Sequence, residues 1–448
     1  MFASLLRARR RGLVPVCMLA LAAAAPEARA QGAATCAPGF GAQAALTELG
    51  QAPSVVGFAH DPATGHHYLA VGNTLFHRPN AATWNTAWTA PAGDVLAAVA
   101  RSDTQSSILV ATLLGGIVKQ IDTASGAMVT IQGVPNVFDL APAPNGTVLA
   151  SANPTWPAPG ANSGVWVLGT GSAPRLLLQL QGPSGPLCLD ASGNLLVAEI
   201  GTAVPPLPGS VRILRFPAAT WQAAAASGTT VTPAQADAVS TGWNGAYDLA
   251  VDDSGRIHVT DPNSNVVSRT LPGSTVRDPV PLCTLGRPGL QVQFAPGAAL
   301  PFAPWLQEEH AGALFVASSD FSSEYRVERI HPQRPRLDAL PGTTLGAGTG
   351  TLRIGAAPPG APAFLAFSLA PPRSEQLVAV VDGLPFWLGL DPAAPVVARA
   401  LTADASGVAQ LAFSHPGGFA LQLTVQGALL LPAAGITSSS LVSLQLLP

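Results

Sequence analysis

The chain has 448 residues, 48% of them apolar and only 10% charged; that length exceeds one ordinary domain, and that composition excludes a disordered polyelectrolyte. Its 22 basic residues stand against 25 acidic ones, and Lys119 is the single lysine. The sequence therefore offers no basic footprint for nucleic acid, and after the first thirty residues no apolar run is long and unbroken enough to span a membrane as a helix.

The N-terminus reads as an export signal over residues 1–30. Arg7, Arg9, Arg10 and Arg11 precede an apolar stretch from Gly12 to Ala25, and Ala28-Arg29-Ala30 supplies a small-x-small cleavage pattern. Cys17 follows Val16 rather than a small residue, so it belongs to the discarded segment. Cleavage near Ala30 leaves 17 positive against 24 negative residues, a net charge of −7. The expected destination is secreted, periplasmic or at the cell surface. Cys36, Cys188 and Cys283 remain, an odd number, and export permits a disulfide between two of them without saying which.

From residue 45 a repeat sets in. "FAHDPATGHHYLAV" (Phe58 to Val71), "LAPAPNGTVLAS" (Leu140 to Ser151), "CLDASGNLLVAE" (Cys188 to Glu199) and "LAVDDSGRIHVTD" (Leu249 to Asp261) each place a polar turn between two apolar strands. Looser copies run from Val99 to Thr112 and from Leu306 to Ser318. Their turns, at Gly65, Ser106, Gly146, Gly193, Gly255 and Gly312, are spaced by 41, 40, 47, 62 and 57 residues. A period of that size without helices between the copies predicts propeller blades, each burying its faces on the next. The reading is an all-β chain with a six-bladed β-propeller over 45–335. Insertions are expected at 201–210 and at 217–240, the latter with a short helical turn in its alanine run.

A Pro/Gly-rich linker is expected at 336–345, followed by a C-terminal antiparallel β-sandwich over 346–448. That last region shows short alternating strands with frequent turns, the clearest at Asp404-Ala405-Ser406-Gly407.

No nucleophile elbow, phosphate loop or dinucleotide motif is present in the sequence, and no catalytic residue is assigned. The polar residues ending the second strand of the repeats are the metal candidates, Asp261 and Glu199 first, with Asp320; Asn244, three residues before Tyr247, could add a neutral oxygen. Oxygen donors around one funnel suit a single divalent cation, Ca²⁺ by donor type. The competing reading is that these side chains cap loops. Trp156 and Trp243 lie on loops entering or leaving blades and, with Tyr247 and Asn153, are the ligand-binding candidates. His60, His66, His67 and His77 cluster early; adjacent histidines in a turn diverge and read as a solvated hairpin tip.

"SGRIHVTDPNSNVVSRT" (Ser254 to Thr270) resembles an NHL repeat, and "SGNLLVAE" continues its pattern with Glu199 in place of the aspartate. The likeness extends to the propellers of the SMP-30/gluconolactonase group. That group implies a divalent cation held by a Glu, an Asn and an Asp, and a lactonase activity. Asp261 matches the Asp; "QAPSVVG" replaces the expected Glu-Gly-Pro, and Tyr247 stands where the Asn belongs. The closing "LTADASGVAQLAF" and "VQGALLLPAAGITSSSLVSL" resemble a β-sandwich module of secreted bacterial proteins, which implies export or display. The functional expectation is an exported, monomeric, non-enzymatic binding or scaffold propeller holding a ligand, glycan or protein partner at one end of the disc. The alternative is a metal-dependent, lactonase-like hydrolase.

Overall fold

The computed structural model describes residues 34–36, 40–46, 55–61, 66–79, 83–102, 107–155, 162–200, 207–252, 255–271, 274–295, 313–319, 325–332, 337–355, 360–373, 376–381, 384–391, 393–431 and 435–448. Residues 1–30, expected to be the export signal, and the turns at Gly65, Ser106 and Gly312 lie outside these.

Antiparallel sheets follow one another along the chain. Sheet I comprises Val55–Asp61, His66–Val71, Thr74–Arg78 and Asn85–Thr89; sheet II comprises Leu96–Ser102, Ser107–Thr112, Ile117–Asp122 and Met128–Gln132. Sheet III runs through Val137–Pro142, Val148–Ala152, Gly164–Gly169 and Ser172–Gln179; sheet IV through Ser184–Leu189, Leu195–Glu199, Val211–Phe216 and Ala238–Trp243. Sheet V holds Asp248–Val251, Ile257–Asp261, Val266–Arg269 and Cys283–Thr284, and sheet VI holds Gly289–Ala295, Ala313–Ser319 and Tyr325–Pro332. The first strand of each sheet packs against the first strand of the next, and that of sheet VI returns to that of sheet I. The chain is thus an all-β propeller in this region, its first strands lining the axis.

Each pair of neighbouring sheets shares its own apolar core. Tyr68, Leu75, Leu96 and Ile108 join I to II; Leu109, Ile131, Leu140 and Leu168 join II to III; Leu149, Leu178, Leu195 and Phe216 join III to IV. Leu196, Ile213, Trp243 and Val259 join IV to V, and Val267, Leu282, Val316 and Ile330 join V to VI. Phe58, Leu69, Leu290 and Phe315 close VI onto I. The alternation in the sequence is what makes this possible, because successive residues of a strand face opposite neighbours.

Local chemistry fixes the reversals. At Asp190 the carboxylate accepts the backbone N–H groups of Ser192 and Asn194, both at 2.9 Å, and Gly193 takes φ 77°. Asp252 accepts the N–H of Arg256 at 3.0 Å, with Gly255 at φ 79°. The same Asp-x-Ser-Gly sequence closes the hairpin at Asp404, which accepts from Ser406 and Val408, with Gly407 at φ 76°. Aspartate supplies the acceptor and glycine the left-handed backbone.

The propeller begins earlier than residue 45. Phe40–Leu46 is the outermost strand of sheet VI, paired with Tyr325–Pro332, and Thr35–Cys36 pairs with Cys283–Thr284 on sheet V. A Cys36–Cys283 disulfide fixes this arrangement, leaving Cys188 as the free thiol among the described residues. The alanine run at 218–227 is a ten-residue helix, α1 (Ala218–Ser227), more than one turn; Trp221 anchors it, its Nε1 donating to the Gly193 carbonyl at 2.9 Å.

The C-terminal region has a separate core of Leu352, Ile354, Ala363, Leu365, Val425, Leu429 and Leu444, among others, all from residue 337 onward. One sheet there has three strands (Leu337–Leu340, Gly348–Ile354, Ala409–His415). The other has five: Thr344–Leu345, Gly435–Leu446, Leu421–Leu431, Pro362–Ser368 and Val396–Thr402. Two strands fall inside the stretch expected to be a linker, and Thr344–Leu345 pairs in parallel with Gln445–Leu446, so the region is not purely antiparallel.

The disulfide closes a loop of 247 residues, and removing such a link costs on the order of 2–5 kcal/mol. Cys36→Ser should therefore lower the melting temperature in non-reducing buffer, while dithiothreitol lowers it in the wild type and leaves the variant unchanged.

Candidate functional site

The sequence candidates resolve into loop caps and core anchors. Glu199 ends the second strand of sheet IV, but its Oε1 accepts the N–H groups of Gln181 at 2.7 Å and Gly182 at 3.0 Å, and its Oε2 pairs with Arg212. Those hydrogen bonds hold its carboxyl below its ordinary range against the upward push of burial. Asp261 ends the second strand of sheet V and is buried; its Oδ1 accepts from Asn263 and Ser264, capping the turn that follows. Burial raises its pKa. Asn244 lies at the same turn, donating to Ser264 Oγ and accepting from Gly209 N–H. Asp261 and Asn244 are thus neighbours, whereas Glu199 serves another loop. Among the described residues no three His, Cys, Asp or Glu side chains are placed to share a cation, and Asp261 and Glu199 each cap a different loop. Asp320 lies outside the described residues.

Trp243 is not at a mouth. It is 1% exposed, donates from Nε1 to Ser240 Oγ at 2.9 Å, and lies under the Arg277 guanidinium. Asn153 uses its whole amide on one backbone position, accepting from Ser184 N–H at 2.7 Å and donating to the Ser184 carbonyl at 2.9 Å. Both residues are structural ties between sheets. Trp156 lies outside the described residues. Among the described ligand-binding candidates, Tyr247 is the one near the axis: its ring meets Phe138 at 5.4 Å, across sheets III and V, which are not neighbours in the ring.

What the axis holds is a cavity of about 440 Å³ lined by the first strands. Phe58, Val99, Arg101, Asp139, Leu187, Cys188, Asp248 and Val292 face it, with the turns at Pro144, Asp190 and Asp252. Asp139 and Asp248 occupy matching places, one residue after Phe138 and Tyr247, opposite the penultimate residue of the second strand in their sheets, Ser151 and Thr260. Each also staples the next sheet. Asp139 accepts the N–H groups of Leu140 at 2.7 Å and Leu187 at 2.9 Å; Asp248 accepts those of Leu249 and Val292, both at 2.8 Å.

These carboxyls are unusual acids. Burial pushes Asp139 up to about 7, with its two backbone hydrogen bonds opposing. Burial also raises Asp248 well above the carboxylate range, and the charge of Asp139 adds to the effect. Burial and the nearby Asp248, Asp139 and Asp190 raise the Cys188 thiol far too high for a thiolate nucleophile. Arg101, lowered to about 10 by burial, stays charged. On sheet V, Asp252 Oδ2 meets His258 Nε2 at 2.9 Å, and Arg269 meets Asp278 at 3.6 Å. Neither Asp139 nor Asp248 stood out in the sequence. Asp248 follows "GAY" and Asp139 follows "VF", without any motif; the one available signal was a carboxylate at the start of an apolar strand.

No protein-family profile matches the chain, and no curated protein matches it. Among solved structures it is similar to a virginiamycin B lyase from Staphylococcus aureus, at 9% identity over 65% of this chain and 99% of the other, with a TM-score of 0.42. A gluconolactonase from Xanthomonas campestris is 13% identical over 68% and 98% of the two chains, TM-score 0.42. A PQQ-bound aldose sugar dehydrogenase from Streptomyces coelicolor is 12% identical over 66% and 99%, TM-score 0.42. Identities this low say nothing about activity, and the propeller architecture stands on the sheets themselves.

The raised carboxyls set a sign for stability. Unfolded aspartates titrate near about 3.9, so between that pH and neutrality the folded chain holds protons the unfolded chain has lost. This contribution to stability falls as pH rises through the window. Asp248→Asn should flatten the fall in melting temperature between about pH 4 and pH 7 relative to wild type. Trp243→Ala should destabilise by about 3–5 kcal/mol in chemical denaturation, as a core deletion does.

Proposed function

We propose that the protein is an exported binding propeller whose axial cavity takes a small ligand. The carrying observation is the 440 Å³ cavity lined by Asp139 and Asp248, a volume within the usual range of small-molecule sites. The polar lining is acidic, with Arg101 as the cation among the residues lining it. It favours a neutral or cationic molecule rich in hydrogen-bond donors, such as a polyol or an amine. Export places the Cys36–Cys283 disulfide in an oxidising compartment. The C-terminal region, with its own core, is then an appended β-sandwich, and the chain acts as a monomer.

The hydrolase reading has less support, because Glu199 is spent on Arg212 and two backbone N–H groups. Any acid–base chemistry falls instead to Asp139 and Asp248, whose raised proton affinities let one donate while the other accepts.

Thermal-shift screening of polyols, amino sugars and polyamines against the purified chain tests the proposal. A hit should raise the melting temperature in wild type and lose most of that shift in Asp139→Asn and Asp248→Asn, but keep it in Glu199→Gln. Turnover of a lactone panel that vanishes in Asp139→Asn would replace the binding reading with the enzymatic one.

A further inference from the structure

The histidines of sheet I do not form the solvated tip that their sequence suggests. His66 and His67 do point to opposite faces, but each meets a histidine from another strand. His67 Nδ1 lies 3.2 Å from His60 Nδ1, and His66 Nδ1 lies 3.1 Å from His77 Nε2.

The two pairs differ in a way that matters for chemistry. The rings of His60 and His67 are stacked, at 4.6 Å and 28°. Nitrogen lone pairs lie in the ring plane, so stacked rings cannot aim both at one point. The rings of His66 and His77 stand edge to face, 4.8 Å apart at 62°. A straight N–H···N bond of this length would hold the centroids about 5.4 Å apart, so the contact is bent. With metal–nitrogen bonds of about 2.0–2.1 Å, the 3.1 Å nitrogen separation subtends an angle of about 100° at a shared ion. The 4.8 Å centroid separation gives about the same angle for an ion some 3.2 Å from each ring centre. Two separate distances therefore agree on one apex, between the tetrahedral and square-planar values.

The surroundings hold this geometry in place. Tyr68 pairs in register with His77 and stacks on its ring at 4.6 Å and 16°. Asp61 is the register partner of His66 and shares its face of the sheet. Both histidines are half-buried rather than sealed in the core.

We propose that His66 Nδ1 and His77 Nε2 form a two-histidine chelate for a divalent transition metal, with the remaining positions open to water or an exogenous ligand. Two imidazoles select copper, nickel and zinc over magnesium and calcium, and Cu²⁺ binds most tightly of these. The site lies on sheet I, its donors are separate from the residues lining the axial cavity, and it is independent of what the cavity binds.

The test is titration of the purified chain with CuCl₂, NiCl₂, ZnCl₂ and CaCl₂ by calorimetry, with electron paramagnetic resonance of the copper form. The expected result is one Cu²⁺ per chain with a two-nitrogen imidazole signature, Ni²⁺ and Zn²⁺ weaker, and no response to Ca²⁺. His66→Gln and His77→Gln should each weaken Cu²⁺ at least about tenfold, the loss expected when a metal site is disrupted, while His67→Gln leaves it unchanged. Absence of stoichiometric copper binding overturns the proposal, as does binding indifferent to both His66→Gln and His77→Gln. Should either variant fail to fold, the spectrum of the wild-type copper form decides alone: one without two imidazole nitrogens is equally fatal.

Discussion

Closure of the ring is the constraint on which everything else depends. No sheet here buries both faces by itself; each is covered by the sheet before it and the sheet after it. The last interface, where Leu290 and Phe315 of sheet VI meet Phe58 and Leu69 of sheet I, joins residues more than two hundred positions apart. Such a contact carries a large loop-closure entropy before it returns any burial. The structure answers with the N-terminal segment. Phe40–Leu46 completes sheet VI, Thr35–Cys36 extends sheet V, and Ala34 N–H donates to buried Glu328 at 3.0 Å. The disulfide then makes the tie between N-terminus and sheet V covalent.

The polar residues of the ring obey the same logic. Sheets that meet along apolar faces still need their strand ends in register, and buried backbone N–H groups need acceptors. Asn153 clamps Ser184 of the next sheet, Asp139 takes the N–H of Leu187, and Asp248 takes that of Val292. The last two staples lie on the axis, and there the two roles conflict. An ionised carboxylate is a better acceptor, but burial beside a second carboxylate favours the neutral acid. The raised proton affinities of Asp139 and Asp248 record that conflict. They also make the axial cavity the chemically distinctive place in the molecule.

The turns are quieter. Asp190, Asp252, Asp261 and Asp404 all accept backbone N–H groups of their own turns. A carboxylate so used is oriented by the turn it holds, which is why the funnel of oxygen donors suggested by strand-end spacing does not assemble. The histidines of sheet I go the other way: read from sequence as a solvated tip, they meet in pairs, and His66 and His77 are brought edge to face by the pairing of neighbouring strands.

How much was legible follows from how local each signal is. Alternating apolar residues, Asp-x-Ser-Gly turns and a forty- to sixty-residue period are local patterns, and they determined the all-β class, the succession of sheets and the reversals at Gly193, Gly255 and Gly407. What they could not carry was any fact joining distant positions. The partner of Cys36 lies 247 residues away, Phe40–Leu46 completes the last sheet of the propeller, and Asp139 and Asp248 line one cavity only because their sheets face one axis. The surroundings of Trp243 and Glu199 are non-local in the same way. A loop or strand-end position in sequence says nothing of whether the side chain turns outward or, as here, packs between sheets beneath Arg277 or pairs with Arg212. The sequence by itself determined the repeating unit, because each strand and turn is written in adjacent residues. The tertiary structure alone decided which side chains share the axis, because that depends on how the ring closes.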